Sequence, residues 1–374
     1  MNNTTTNKSL DLPVTLFLLI TPVVAIVAPI VYLLYYPLTW DLVLLFVGFS
    51  FLSSVSITAG YHRLLSHRSY KANGWLKNLF LFFGGGTFQS SALEWVADHR
   101  MHHRFVDTPR DPYNIKQGFM HAHISWLFHR CERDFSVVPD LLKDRWIMWQ
   151  RRYFLPLAIF SGFIFPALIA LIIGQQHWLV NILAGLIFGG VVRIVFVHHC
   201  TFFVNSICHM WGSRPYSEEC TARDNPFIAF LTNGEGYHNF HHRFQYDYRN
   251  GTRWYHYDPT KWLISFMALL RQTSDLRRVP HSQIVMAKLA LKQSSIAFKD
   301  PLISKKLDTL RSKAEQAHSH LKALSNEYQA LKKTIRSRYQ LLKLKADLQV
   351  AKIEFDKCCK QWSKYLIVAK CSVV

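Results

Sequence analysis

No CxxC pair occurs in the 374 residues, although seven cysteines are present: Cys131, Cys200, Cys208, Cys220, Cys358, Cys359 and Cys371. That scatter excludes a zinc knuckle, a disulfide framework and an iron–sulfur cluster, and it reads as reduced thiols in a cytosolic setting. No HPGG element offers haem ligation, and no GxGxxG turn offers a flavin or nicotinamide site. Acidic residues are scarce. With 24 Asp+Glu against 44 Lys+Arg the formal net charge is +20, which favours anionic surfaces and anionic ligands; a nucleic-acid partner is not expected. A cleavable signal is also missing. The start, "MNNTTTNKSLDLP", is polar, and the apolar segment after it is too long for a signal core and lacks a small-residue cleavage site.

Long apolar runs are abundant instead. Val14–Tyr36 and Leu42–Tyr61 form one pair, Tyr153–Gly174 and Trp178–Val197 another. About 20 residues at 1.5 Å each cross a hydrocarbon layer of about 30 Å, so the pattern predicts an all-α membrane protein with four transmembrane helices in two hairpins. The hairpin tips, 37–41 and 175–177, carry no lysine or arginine, whereas 62–151 and the chain after Arg214 carry many. Both termini and a helical cap are therefore expected on the cytoplasmic side. Arg193 falls within the fourth run and should face protein or a polar cavity. Leu79–Gly86, "LFLFFGGG", is short and glycine-broken; it is expected to dip into the membrane without crossing. These features divide the chain into an N-terminal tail (1–13), a membrane and cap domain (14–280) and a basic arm (281–374).

Histidine is concentrated in three places: "HRLLSH" at 62–67, "HRMHH" at 99–103 and "HNFHH" at 238–242. On a helix, positions i, i+3 and i+4 share a face, so His99, His102 and His103 can converge, as can His238, His241 and His242. His62 and His67 are spaced i, i+5, which a regular α-helix splays; they meet if the second span ends or deforms there. All three clusters lie on the side that charge marks as cytoplasmic. Eight imidazoles exceed what a structural or catalytic zinc takes, and two metal ions sharing the set fits the count. Glu94, Asp98, Asp107, Asp111 and Glu235 are candidate partners for the outer ring nitrogens. His177, His256 and His281 are isolated and carry the ordinary surface reading. His198 and His199, outside the clusters, are expected to tolerate replacement.

The three boxes, placed around two membrane hairpins, resemble the membrane-bound fatty acid desaturases over roughly residues 15–270. "EWVADHR" at 94–100 and "GEGYHNFHH" at 234–242 are further elements of that likeness, and "NSICH" at 205–209 with "GSRPY" at 212–216 is similar to the Δ9 acyl-CoA (stearoyl-CoA desaturase-like) branch, bacterial type. The resemblance implies a ninth ligand, His209, and a water-mediated contact from Asn205. It implies a centre of two iron ions that uses O2 to place a cis double bond, Δ9 by branch, in a saturated acyl chain. It also implies a bent substrate tunnel, with Gln89, Trp95 and Thr201 at the bend, Asp98 near the head group, and the small Ser50 and Ser54 along the methyl end. Acyl-CoA is the implied substrate and an acyl lipid the alternative, since Ala97 and Phe202 stand where a basic residue and a tryptophan are usual. Electrons must come from an external donor such as a ferredoxin, a cytochrome b5-like protein or a reductase. A bacterial inner membrane is the implied location. A membrane alkyl or sterol hydroxylase shares the histidine boxes; a metal carrier or sensor is the non-enzymatic alternative, although of ionisable residues within the spans Arg193 alone was found.

After about Ser282 the composition changes. Residues 281–374 hold 19 Lys+Arg and 7 Asp+Glu, which is 12 of the net +20. Apolar or small residues recur at 303, 307, 310, 314, 317, 321, 324, 328, 331 and 335, a heptad seam. Beyond Ile335 the seam lands on Arg338, with Tyr339 taking over at a shift of one. A long helix or helical hairpin is predicted, open to self-association, to docking of the electron donor, to lying on anionic lipid, or to folding back on its own domain.

Overall fold

The computed structural model describes residues 9–130, 132–296, 300–334 and 338–371, so Cys131, the seam position Ile335 and most of the tail lie outside it. Among the described residues the elements are helices and one short antiparallel pair, Lys71–Ala72 with Thr273–Ser274, besides isolated bridges such as Leu10 with His129. It divides into two compact units. One runs to Arg214 and resumes over Cys220–Arg278; the other joins Pro215–Glu219 to the chain from Val279 onward.

The first unit contains four helices long and apolar enough to cross a membrane: Leu12–Tyr35, Trp40–Ser66, Phe154–Ile173 and Trp178–Met210. Two of them outrun the segments expected from hydropathy. The second continues past Tyr61 to Ser66, and the fourth past Val197 to Met210. Loss of apolar character marks a change of surroundings, not a helix end, and the 33-residue fourth helix is about 50 Å long, well beyond the hydrocarbon thickness. Both extensions carry histidines of the candidate metal centre, His62 and His209. The Gly74–Gly85 helix holds the expected dipping segment; its apolar face meets protein, with Phe80 against Gly60 and the Tyr61 ring against Gly84. Under the cap, Ile57, Tyr61 and Leu65 of the second span pack on Ala92, Leu93 and Val96. Those three open the Ala92–Phe105 helix, whose N-terminus is closed by a capping box between Ser91 and Glu94.

In the second unit, the helices Pro301–Thr334 and Arg338–Cys371 fold back on each other beside His281–Ser294. The expected seam is used inside this unit. Leu307, Ala314 and Ala317 are buried against Phe355, Cys359, Trp362 and Leu366, and the Trp362 indole donates 2.8 Å to Gln293 Oε1. The return helix has a seam of its own through Leu344, Ala351 and Phe355, while Tyr339, expected to continue the first seam, is exposed. Its apolar positions are interrupted by alanine, cysteine and aromatic residues, which hides the repeat in the sequence.

Candidate metal centre

The second span solves the i, i+5 spacing of His62 and His67. Residues Ser56–Ser66 form a π-helical segment, in which each N–H reaches five residues back, and the His67 N–H donates to the His62 carbonyl at 3.1 Å. A wider turn brings the two rings to one side, their centroids 4.8 Å apart. The Ala92–Phe105 helix presents His99, His102 and His103; the short His238–Arg243 helix presents His238, His241 and His242; the extended fourth span presents His209.

These nine imidazoles fall into two groups. His62, His67, His99, His103 and His241 form one; His102, His209, His238 and His242 form the other, with all donor atoms in each group within 4.8 Å of one another. In the first, Nε2 atoms stand 2.8 Å apart for His67–His99 and 3.0 Å for His62–His241 and His103–His241. In the second they stand 3.1 Å apart for His209–His238 and His238–His242 and 3.3 Å for His102–His242. Two nitrogens about 2.1 Å from one ion sit ~3.0 Å apart at right angles and about 3.4 Å apart in a tetrahedron. Nitrogens this close can share one ion in each group. Burial, reinforced by neighbouring imidazoles, holds His67, His99, His103, His238, His241 and His242 well below the ordinary histidine range. They are neutral at pH 7, each with a lone pair available to a metal.

The outer nitrogens of four rings are held. His62 Nδ1 lies 2.7 Å from Glu235, and His102 Nδ1 lies 2.9 Å from Asp111. His99 Nδ1 meets the Tyr113 hydroxyl at 3.2 Å; His209 Nδ1 meets the Thr221 hydroxyl at 2.8 Å, which donates to Asp107 at 2.7 Å. Glu235 is itself fixed by Arg63, at 2.8 Å, and by Asn250, at 2.7 Å. Burial alone would raise the Glu235 carboxyl, but Arg63 and His62 outweigh it and leave it below its usual range. Glu94 and Asp98 do not join this shell. Glu94 serves the capping box, and Asp98 pairs with Arg133 at 2.9 Å, its carboxyl raised by burial to about 6. The sequence reading missed Arg63, Tyr113 and Thr221. Arg63 follows a box histidine and Tyr113 lies ten residues past a box, both usable signals; Thr221 has none.

A cavity of about 380 Å³ reaches both groups, touching His62, His99, His102 and His238. Its size falls in the range of small-molecule sites, and apolar surface dominates its wall. Gln89, Trp95, Asp98, Thr201, Asn205 and Ser54 all line it; Ser50 is buried elsewhere. Gln89 links the residues expected at the bend, donating to Thr201 at 3.1 Å and accepting from the Trp95 indole at 3.4 Å. Ser54 accepts from Asn233 at 2.8 Å. Ala97 is 1% exposed in the core, and Arg133 beside Asp98 supplies a cation next to this part of the wall. Of the two histidines expected to be inert, His198 is buried with Nε2 2.6 Å from the Thr87 carbonyl, and His199 meets His123 at 3.0 Å.

Four apolar spans, nine imidazoles in two groups that could hold metal, and a cavity reaching both describe a membrane protein with a candidate metal centre beside an apolar site. A family model described as fatty acid desaturase matches residues 19–269, and the chain belongs to that family. It is similar to a probable acyl-CoA desaturase of Schizosaccharomyces pombe, 44% identical over 246 residues, covering 64% of this chain and 50% of that protein. It is also similar to acyl-CoA desaturase 1 of Saccharomyces cerevisiae, 37% identical over 271 residues (72% and 52%), and to human stearoyl-CoA desaturase 5, 36% identical over 267 residues (69% and 79%). The chain spans about half the length of the two fungal proteins.

Proposed function

We propose that this protein introduces a cis double bond, Δ9 by its resemblance, into a saturated fatty acyl-CoA, using O2 and two iron ions held on the nine histidines. The observation that carries this reading is the cavity: a largely apolar space lined by Gln89, Trp95 and Thr201 also touches histidines of both groups, His62 and His99 of one and His102 and His238 of the other. The names of the relatives support CoA as the carrier, and the Asp98–Arg133 pair offers charge beside the cavity for the polar end. Bound iron would supply the O2 activation that breaks C–H bonds on two adjacent methylenes. The protein's own residues do the remainder. Glu235, Asp111, Tyr113 and Thr221 fix ring orientation, the apolar wall excludes water, and the bend sets which carbons lie under the histidines.

Forming one double bond removes two electrons from substrate, and reducing O2 to two waters takes four, so an external carrier supplies two. The sites for it are the least buried imidazoles, His67, His103 and His242, each followed by an exposed arginine: Arg68, Arg104 and Arg243. That edge suits an acidic one-electron carrier, whether a ferredoxin or a cytochrome b5-like protein. We place it, with both termini, on the cytoplasmic side, from the lysine and arginine asymmetry.

The test is expression of the full chain in a yeast lacking its own desaturase, with gas chromatography of fatty acid methyl esters and metal analysis of the purified protein. Monounsaturated product and about two irons per chain are expected. Hydroxylated esters would instead assign a hydroxylase, and no product with metal bound would favour a carrier.

A further inference from the structure

Resting on the desaturase reading, we propose that the fourth span is a ruler for double-bond position, with Arg193 and His198 as positioning residues that hold the turn at 86–90 to it. This turn delivers Phe88, Gln89 and Ser90 to the cavity wall. It has no regular structure, and Phe88 and Ser90 take φ values of 57° and 73°, which persist where the surroundings over-determine the backbone.

The surroundings that do so come largely from one helix. Arg193 donates to the Gly86 carbonyl at 2.8 Å, His198 Nε2 lies 2.6 Å from the Thr87 carbonyl, and the Thr201 hydroxyl accepts from Gln89 at 3.1 Å. Positions 193, 198 and 201 thus meet 86, 87 and 89 in order. Arg193 is 1% exposed, and its other bonds run to the carbonyls of Gly162, at 2.7 Å, and Gly189, at 2.9 Å, and to the Ser53 hydroxyl, at 3.1 Å. No carboxylate is among them: the guanidinium is committed to three backbone carbonyls and one hydroxyl. The turn is also pressed on the third span, where a Cβ on Gly86 would come within 2.6 Å of Ser161 Oγ and one on Gly162 within 2.7 Å of the Phe88 ring.

Past Thr201 the same helix runs unbroken to His209, a member of the four-histidine group, with Asn205 on the cavity wall between them. Eight residues at 1.5 Å set about 12 Å along the axis between the bend contact and the metal ligand. An alkyl chain offers no polar atom near its reacting carbons, so the bond that reacts is chosen by this separation. A turn released from the helix can slide relative to the histidines, and a neighbouring bond then comes under them.

The experiment uses the full chain in the same yeast, reading double-bond position by mass spectrometry of dimethyl disulfide adducts. Wild type should give one dominant position. His198→Leu and Arg193→Gln should raise the share of bonds at neighbouring positions at least tenfold. His198→Gln, which keeps an N–H donor, should restore the wild-type pattern, and His199→Ala should match wild type. The positional ratio does not depend on how much protein folds, so an unstable variant still reports; if Arg193→Gln fails to accumulate, the His198 pair decides. A wild-type ratio in His198→Leu overturns the proposal. Absence of unsaturated product from wild type would overturn the desaturase reading instead.

Discussion

The two histidine groups are built from the same boxes used in opposite ways. The box at 99–103 gives its i, i+4 pair, His99 and His103, to the five-histidine group and its i+3 member, His102, to the other. The box at 238–242 gives its i, i+4 pair, His238 and His242, to the four-histidine group and its i+3 member, His241, to the first. Residues four apart on a helix differ by about 40° in direction, and residues one apart by about 100°, so a single HxxHH turn points at two places at once. Such a box therefore bridges the two candidate metal positions. Neither helix can move without disturbing both.

The groups differ in number and in support, and this allows them to be separated experimentally. The largest effect should come from removing any of the nine: His→Ala at His62, His67, His99, His102, His103, His209, His238, His241 or His242 should abolish product while the protein still inserts. Within that series, metal content should divide by group. His209→Ala leaves three imidazoles in its group and should lose about one ion per chain, whereas His67→Ala leaves four and should retain more metal. Equal losses would mean that the two positions fill as one unit.

A smaller effect should come from the outer partners. Replacing such a group typically costs 10–100-fold in metal affinity or activity. Glu235→Gln should fall toward the upper end, because it also removes one of the two carboxylates paired with the buried Arg63, whereas Thr221→Val removes a neutral hydroxyl and should fall toward the lower end; metal-competition titration would rank them. The smallest effect is one of selectivity. Ser54 borders the cavity and Ser50 does not, so Ser54→Phe should shift products from C18 toward shorter chains in a mixed feeding, and Ser50→Phe should shift them less. Crowding of this kind costs roughly 1–3 kcal/mol, which is a change of about fivefold to a hundredfold in the ratio of products.

Much of this centre was legible because helical spacing and neutral imidazole chemistry are local properties. Four spans could be counted, and the box histidines named, from runs and intervals alone. The division of each box between two groups was not legible, since it depends on how two helices face each other. Nor was the π-helical turn, whose i, i+5 bond at His62–His67 appears in the sequence as a departure from helical spacing. Asp107 was found but not its route, because Thr221 reaches it across 114 residues of chain. In the second unit the first seam was readable from leucine spacing, whereas its partner was obscured by Ala351, Phe355 and Trp362.

Because the second and fourth spans continue without a break from the apolar segments to His62 and His209, a bilayer around them would act mechanically on the candidate metal centre. A helix that tilts to match a thinner or thicker membrane carries its far end sideways, and these far ends carry ligands. Ligand geometry and lipid thickness are thereby coupled through two levers, and a detergent micelle of the wrong width would load the imidazoles without touching them.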